Sequence, residues 1–167
     1  MGYSQFHRGK KNDLKNSTIY ASKGLQILPF WLIFGASEFS LLNNAKQQLH
    51  EKLKDMEIEK FIEEWIAVSN SYDTEKYLTF YSEDAVLDDP SVGKKFSGKN
   101  GIKEYYESYF IGYKTQTKKV NIAVKDENQA HLEVVFTGDF SEGKLGGTFD
   151  FTFKEGKISF VSADLLL

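Results

Sequence analysis

The sequence predicts an α+β fold in which three helices pack on one face of a strongly curved, mostly antiparallel sheet. Three observations carry this. Apolar residues recur at spacings of three and four between Met56 and Phe110, the mark of amphipathic helices. From Thr117 onward they recur at every second residue, the mark of strands with one buried face. Between the two regimes a short run, Ala85–Asp89, stops at Pro90. Proline gives no N–H to a ladder and restricts its predecessor to extended geometry.

Residues 1–55 read differently from the rest and are expected to form an extension to a domain spanning residues 56–167. Met1–Lys23 carries Arg8, Lys10, Lys11, Lys15 and Lys23 against one acid, Asp13, and the following Gly24–Ser37 has no charge. A basic lead, an apolar run and small residues at Gly35, Ala36 and Ser37 resemble a secretory signal. The run is short for a membrane span and is interrupted by Pro29. Three readings stay open: a cleaved or anchoring export signal, an upstream stretch translated from a start codon placed too early, or a structured helix packed on the domain. The expected location is the cytoplasm unless residues 1–37 act as a signal. Asn43–Asp55 is polar and helix-prone, a linker or a lead-in to the next helix.

The first patterned helix covers Met56–Asn70, with Ile58, Phe61, Ile62, Trp65, Ile66 and Val68 on one stripe and Glu57, Glu59, Lys60, Glu63 and Glu64 outside. Asp73 is an expected N-cap for a short helix over Thr74–Tyr81. Ser91–Lys95 reads as a loop. A third helix, Ile102–Phe110, turns Ile102, Tyr105, Tyr106 and Tyr109 inward, and Gly112 can end it. Val120, Ile122 and Val124 mark the next strand. Ala130–Phe140 follows, with Leu132, Val134, Phe136 and Phe140 on one face and His131, Glu133, Val135, Thr137 and Asp139 on the other. After the turn at Ser141–Gly143 comes Leu145–Lys154, with Phe149, Phe151 and Phe153 on one face and Asp150 and Thr152 opposite. Glu155-Gly156 turns into a last strand, Lys157–Leu167.

Composition narrows the function classes. The 167 residues are 41% hydrophobic, 27% charged and 15% aromatic, with 14 Phe and 9 Tyr, which favours a large, partly open apolar interior. A net charge of −3 supplies no basic face for nucleic acid. With no Cys there is no disulfide, thiolate metal site or cysteine nucleophile. His7, His50 and His131 are scattered without metal-ligand spacing, so no metal is expected. No phosphate-binding loop is present, and no cofactor is expected.

Along an extended Ala85–Asp89, Leu87 and Asp89 share one side, and Val86 and Asp88 the other. If Leu87 faces the core, Asp89 goes in with it. A carboxylate turned into an apolar interior is a candidate proton carrier. The alternative is a turn residue that hydrogen-bonds Ser91–Gly93 and seats Pro90. Trp65, Tyr81, Tyr106 and Phe149 are either core or pocket wall.

The pattern Y-x-x-D-A-x-x-x-D-P over Tyr81–Pro90, then G-x-x-x-I-x-x-Y-Y over Gly98–Tyr106, then long antiparallel strands, resembles the SnoaL-like branch of the nuclear transport factor 2-like (NTF2-like) superfamily, which includes polyketide cyclases and ketosteroid isomerases. The resemblance covers about residues 56–167. It implies a cone-shaped fold whose mouth holds a small apolar or carbonyl-containing molecule; the mixed strand face of Glu133, Val135, Thr137, Asp139, Asp150 and Thr152 separately leads to the expectation of a homodimer through the sheet. Carried over without a gap, the general-base aspartate of ketosteroid isomerases falls on Asp89, and two tyrosines of their hydrogen-bonded network fall on Tyr81 and Tyr106. Their oxyanion-donating tyrosine falls on Trp65, whose indole N–H donates a hydrogen bond but transfers no proton at useful pH. Their second oxyanion donor falls near Phe149, with Asp150 adjacent on the opposite face. The resemblance thus implies Asp89 as catalytic base, with Trp65, Tyr81, Tyr106, Leu87 and Phe149 around the ligand. The reaction would be a cofactor-free isomerisation, cyclisation or dehydration. A non-catalytic ligand-binding or dimerisation module is the other function class.

Overall fold

A computed structural model describes residues 36–166. The expected signal segment, residues 1–37, lies almost wholly outside the described residues. Helix α1 spans Ala36–Ser71, α2 Thr74–Leu78 and α3 Gly98–Tyr105, and α3 continues as a wider π-helical stretch over Tyr106–Ile111. The strands are β1 (Tyr81–Asp89), β2 (Lys94–Ser97), β3 (Gln116–Asp126), β4 (Gln129–Thr137), β5 (Lys144–Lys154) and β6 (Lys157–Leu166). They form one curved six-stranded sheet in the order β2-β1-β6-β5-β4-β3. Every pairing is antiparallel except β1 with β6, which run parallel. The class is α+β, with the helices on one face of the sheet.

The first helix among the described residues is already in place at Ala36, well before Met56. Asn43–Asp55 is mostly Lys, Gln, Leu, Glu and Ala, good helix formers, with no Gly or Pro, so nothing stops the helix from extending backward. Along this stretch Leu42, Leu49, Leu53 and Met56 remain 43–59% exposed. Burial starts one turn later, where Ile62, Trp65, Ile66 and Val68 enter the core. A left-handed Tyr72 (φ 59°) ends α1. Asn70 then clamps edge strand β3: its Oδ1 accepts from Thr117 N at 2.7 Å and its Nδ2 donates to Thr117 O at 2.9 Å.

Asp73 caps α2 as expected, its carboxylate accepting from Lys76 N at 3.0 Å. The helix stops at Leu78, short of the expected Tyr81. The Thr79 hydroxyl and N–H bond back to Lys76 O and close the turn. Tyr81 is instead paired with Ile158 of β6, so a long-range ladder overrides local helical preference. The Ser91–Lys95 loop is also shorter than expected. Pro90–Val92 makes one 3₁₀ turn, Gly93 takes the left-handed conformation (φ 68°), and Lys94–Ser97 returns as β2 against β1.

The four-strand meander β3–β6 is present. Val120 does not share the inner face with Ile122 and Val124, because the β3–β4 register slips between Lys119 and Asn121 and leaves Val120 59% exposed. Leu132, Val134 and Phe136 of β4 and Phe149 and Phe151 of β5 are buried as their alternation requires. Phe140 and Phe153 are only half-buried, at the edge of the core. Glu155 and Gly156 both have positive φ, the backbone of a two-residue hairpin turn whose twist matches its strands.

Candidate functional site

The alternation inferred for β1 holds. Ala85, Leu87 and Asp89 are buried, and Asp88 points out to pair with Lys95 at 2.8 Å. Asp89 is 5% exposed. Its two oxygens do different things. Oδ1 accepts from Ser91 N at 3.0 Å and from Ser91 Oγ at 2.5 Å, which caps the 3₁₀ turn. Oδ2 accepts from the Tyr105 hydroxyl at 2.9 Å. A carboxylate has about four lone-pair positions, so these three bonds leave one open, on Oδ2. The turn-making role and the inward-facing role are therefore both present, split between the oxygens.

Asp89 and Tyr105 stand on the wall of a cavity of about 420 Å³, within the size range of small-molecule sites. Tyr109, Phe110, Tyr113, Phe136, Phe140, Leu145 and Leu165 supply apolar wall, with Ser91, Val92 and Thr115 beside Asp89 and with Asp139, Ser141 and Glu142 also lining it. The π-helical stretch helps to assemble this wall. Its bonds join residues five apart, as in Gly112 N to Glu107 O at 2.9 Å, and this widening brings Phe110 round toward the side of Tyr105. Burial, then the neighbouring Asp89, drive the Tyr105 hydroxyl well above its ordinary pKa, so it remains a neutral donor.

The structure places the remaining expected site residues elsewhere. Trp65, Tyr81, Tyr106, Leu87 and Phe149 are all buried to 1% exposure or less, and none of them lines the cavity. Trp65 packs edge-on against Phe149 and Phe151 with ring centroids 5.1 and 5.3 Å apart. Its indole N–H donates to Tyr81 Oη at 3.1 Å, and Tyr81 and Tyr77 share a 2.7 Å hydrogen bond. Tyr106 stacks on Tyr77 at 3.9 Å and donates its hydroxyl to Ser69 O at 2.9 Å, which fastens α3 to α1. These groups fill the deep end of the cone. Phe110 and Phe136, 6.2 Å apart and edge-on, form a floor between them and the cavity. Phe110 contacts Tyr106 behind it, and Phe136 contacts Phe149.

The tyrosine that meets Asp89 is thus Tyr105, one position before the Tyr106 suggested by the ungapped carry-over. Its signal was visible as an inward position of the third helix. Ser91 was visible as the hydroxyl two residues past Asp89. Alternation marked Phe136 and Phe140 as sharing the face of Leu132 and Val134, nothing local marked Leu145 or Leu165, and only the curl of the sheet brings all four to the cavity. On the outer face, His131 Nδ1 lies 3.0 Å from Asp150 Oδ1, which also accepts from Lys125 at 2.7 Å. Burial opposes ionisation of Asp150, but those hydrogen bonds outweigh it and hold its pKa below the usual range.

The sequence profile of the SnoaL-like domain matches residues 62–161. The chain belongs to the SnoaL-like domain family. No curated protein matches it in sequence. Solved structures share the fold of this SnoaL-like chain. An epoxide hydrolase/cyclase-like enzyme, SalBIII, with a role in pyran ring formation in the polyether salinomycin, has a TM-score of 0.60 at 16% identity, covering 68% of this chain and 93% of its own. A candidate polyketide cyclase from Sinorhizobium meliloti has a TM-score of 0.57 at 18% identity, covering 62% and 93%. A candidate ketosteroid isomerase from Kribbella flavida has 0.57 at 15%, covering 65% and 76%. At these identities the likeness is one of fold, and the same fold carries many chemistries. Among the described residues no helix is long and apolar enough to cross a membrane.

Proposed function

We propose that this SnoaL-like chain takes a small, mostly apolar carbonyl compound into the Asp89 cavity and that Asp89 acts on it as a general base. The observation that supports this is the open lone pair on Oδ2 of a carboxylate 5% exposed at the cavity wall. Ser91 holds Oδ1 and Tyr105 holds one side of Oδ2, so the carboxylate is fixed in place before a ligand arrives. The base removes a proton from a carbon next to the carbonyl and returns it elsewhere on the same molecule, which is the chemistry of an isomerisation or a cyclisation and requires no cofactor. Tyr109 stands on the same wall, and its hydroxyl, without a hydrogen-bond partner among the described residues, would be the donor to the developing oxyanion.

The test is proton exchange. A panel of small cyclic ketones is incubated with the full-length protein in deuterated water and followed by mass spectrometry. The wild type exchanges the hydrogens beside the carbonyl faster than Asp89→Asn, by on the order of a hundredfold or more, the usual scale for a positioned base. No exchange above the Asp89→Asn background refutes the base.

A second reading, binding without turnover, has one observation in its favour. Most hydroxyls on the cavity wall are already committed: Ser91 and Tyr105 donate to Asp89, Thr115 to Tyr109 O, and Ser141 to Glu142. A ligand-binding module with the sheet's outer face forming a homodimer would then be the role. That face carries the half-buried His131, Glu133, Val135, Asp150 and Thr152. Sedimentation of wild type against Val135→Lys tests the dimer.

A further inference from the structure

The charged residues that line the cavity are of one sign. Its lining contains Asp89 at depth and Asp139 and Glu142 in exposed positions, and among the described residues the lining has no Lys, Arg or His. Lys114, outside the lining, donates to Asp139 Oδ2 at 2.7 Å and offsets that carboxylate. Glu142 has no such partner among the described ion pairs. Its carboxylate accepts from the Ser141 hydroxyl at 2.7 Å, and that bond holds its pKa below the usual range, so it stays charged. The side of the lining that holds Asp139 and Glu142 also carries the aromatic rings of Tyr113 and Phe140, and Tyr113 is 45% exposed. Aromatic faces attract cations and do nothing for anions. The hydrogen-bonding capacity of the wall is skewed in the same sense. Its serine, threonine and Tyr105 hydroxyls donate to protein acceptors, so the charged groups the wall offers a ligand are carboxylates, beside the hydroxyls of Tyr109 and Tyr113.

We infer that the ligand of this cavity carries a protonated amine, held at the mouth by Glu142 and the rings of Tyr113 and Phe140 while its apolar body extends inward toward Asp89. This rests on the proposal that the Asp89 cavity is the ligand site and adds the charge of the molecule it accepts. An anionic ligand is disfavoured on both counts: it meets carboxylates of its own sign, and it finds no uncommitted cation on the wall. A neutral alcohol of the same shape loses the ion contact and the cation–π contact but keeps the apolar burial.

The experiment uses three probes that share one aromatic body: tryptamine, tryptophol and indoleacetate. Each is titrated into the isotope-labelled full chain, and the amide shifts of Ser91, Tyr109 and Glu142 are followed by NMR. Tryptamine is expected to bind about tenfold more tightly than tryptophol, the ratio that corresponds to one partly desolvated cation contact, with indoleacetate weakest. The preference shrinks in Glu142→Gln, an exposed substitution that leaves the core untouched, and on addition of salt. Tryptophol or indoleacetate binding as tightly as tryptamine overturns the amine while leaving the cavity as the ligand site. Failure of all three to shift the cavity amides overturns the cavity itself, and the amine with it.

Discussion

The Tyr105 hydroxyl donates to Asp89 Oδ2 at 2.9 Å, and with Ser91 it gives both oxygens of a buried carboxylate a protein donor. Removing that hydroxyl leaves Oδ2 without a protein partner among the described residues. Tyr105→Phe keeps the ring and its packing against Phe96 at 5.1 Å. The expected loss is about 1–3 kcal/mol, the cost of stranding a buried polar group. Urea denaturation measures it, and an unchanged midpoint would mean the hydroxyl bond adds nothing to stability.

The deep aromatic cluster makes the protein sensitive to alkali. Burial raises the pKa of Tyr77, Tyr81, Tyr105 and Tyr106 above the ordinary tyrosine value, that of Tyr106 to about 12. Below pH about 10 neither folded nor unfolded chains ionise them, and their contribution to stability is complete. Above it the unfolded chain ionises while the folded one resists, so stability falls as pH climbs toward the folded values. Tyrosinate absorbance should therefore rise in two stages, an early one from exposed tyrosines and a late one coincident with loss of far-ultraviolet circular dichroism. A single smooth titration with no link to unfolding contradicts the buried cluster.

Acid acts through Asp150 on the sheet's outer face. Its folded pKa is lowered, so its contribution is present above about pH 4 and is lost as pH falls through the folded value. Because Asp150 is half exposed, the effect is modest and screened by salt. The stability gap between wild type and Asp150→Asn should be largest near neutrality and low salt, and should close on acidification. A gap independent of pH would assign the effect of Asp150 to packing.

Gly147 of β5 lies directly under the Phe136 ring. A Cβ added there would overlap that ring and approach Asp164 O at 3.2 Å. Because Phe136 is part of the cavity floor, Gly147→Ala should cost about 1–3 kcal/mol by overpacking and shift the floor as well. Thermal denaturation and the Phe136 ring signals in NMR check both parts. An alanine variant as stable as wild type, with the ring signals unmoved, refutes the contact.

Much of the fold and one end of the site were legible in the linear chain, for a reason that is local. Helical spacing around Trp65 and Tyr105 and alternation through Leu132–Phe136 and Phe149–Phe153 report which side of each element is buried, because each period is set by backbone geometry. The same logic turned Asp89 inward with Leu87, two residues away on one strand. Asp73 was a readable cap because capping acts across three residues. What lay beyond local reach was decided by tertiary structure. Tyr81 became a strand residue because Ile158, far along the chain, offered it a ladder. Tyr105, not its neighbour Tyr106, met Asp89, and Tyr106 was spent on tying α3 to α1. Phe110 and Phe136 closed the cone below the cavity and consigned Trp65, Tyr81, Leu87 and Phe149 to packing. A period says that a side chain faces inward; only the joint packing of helices and sheet settles what it finds there.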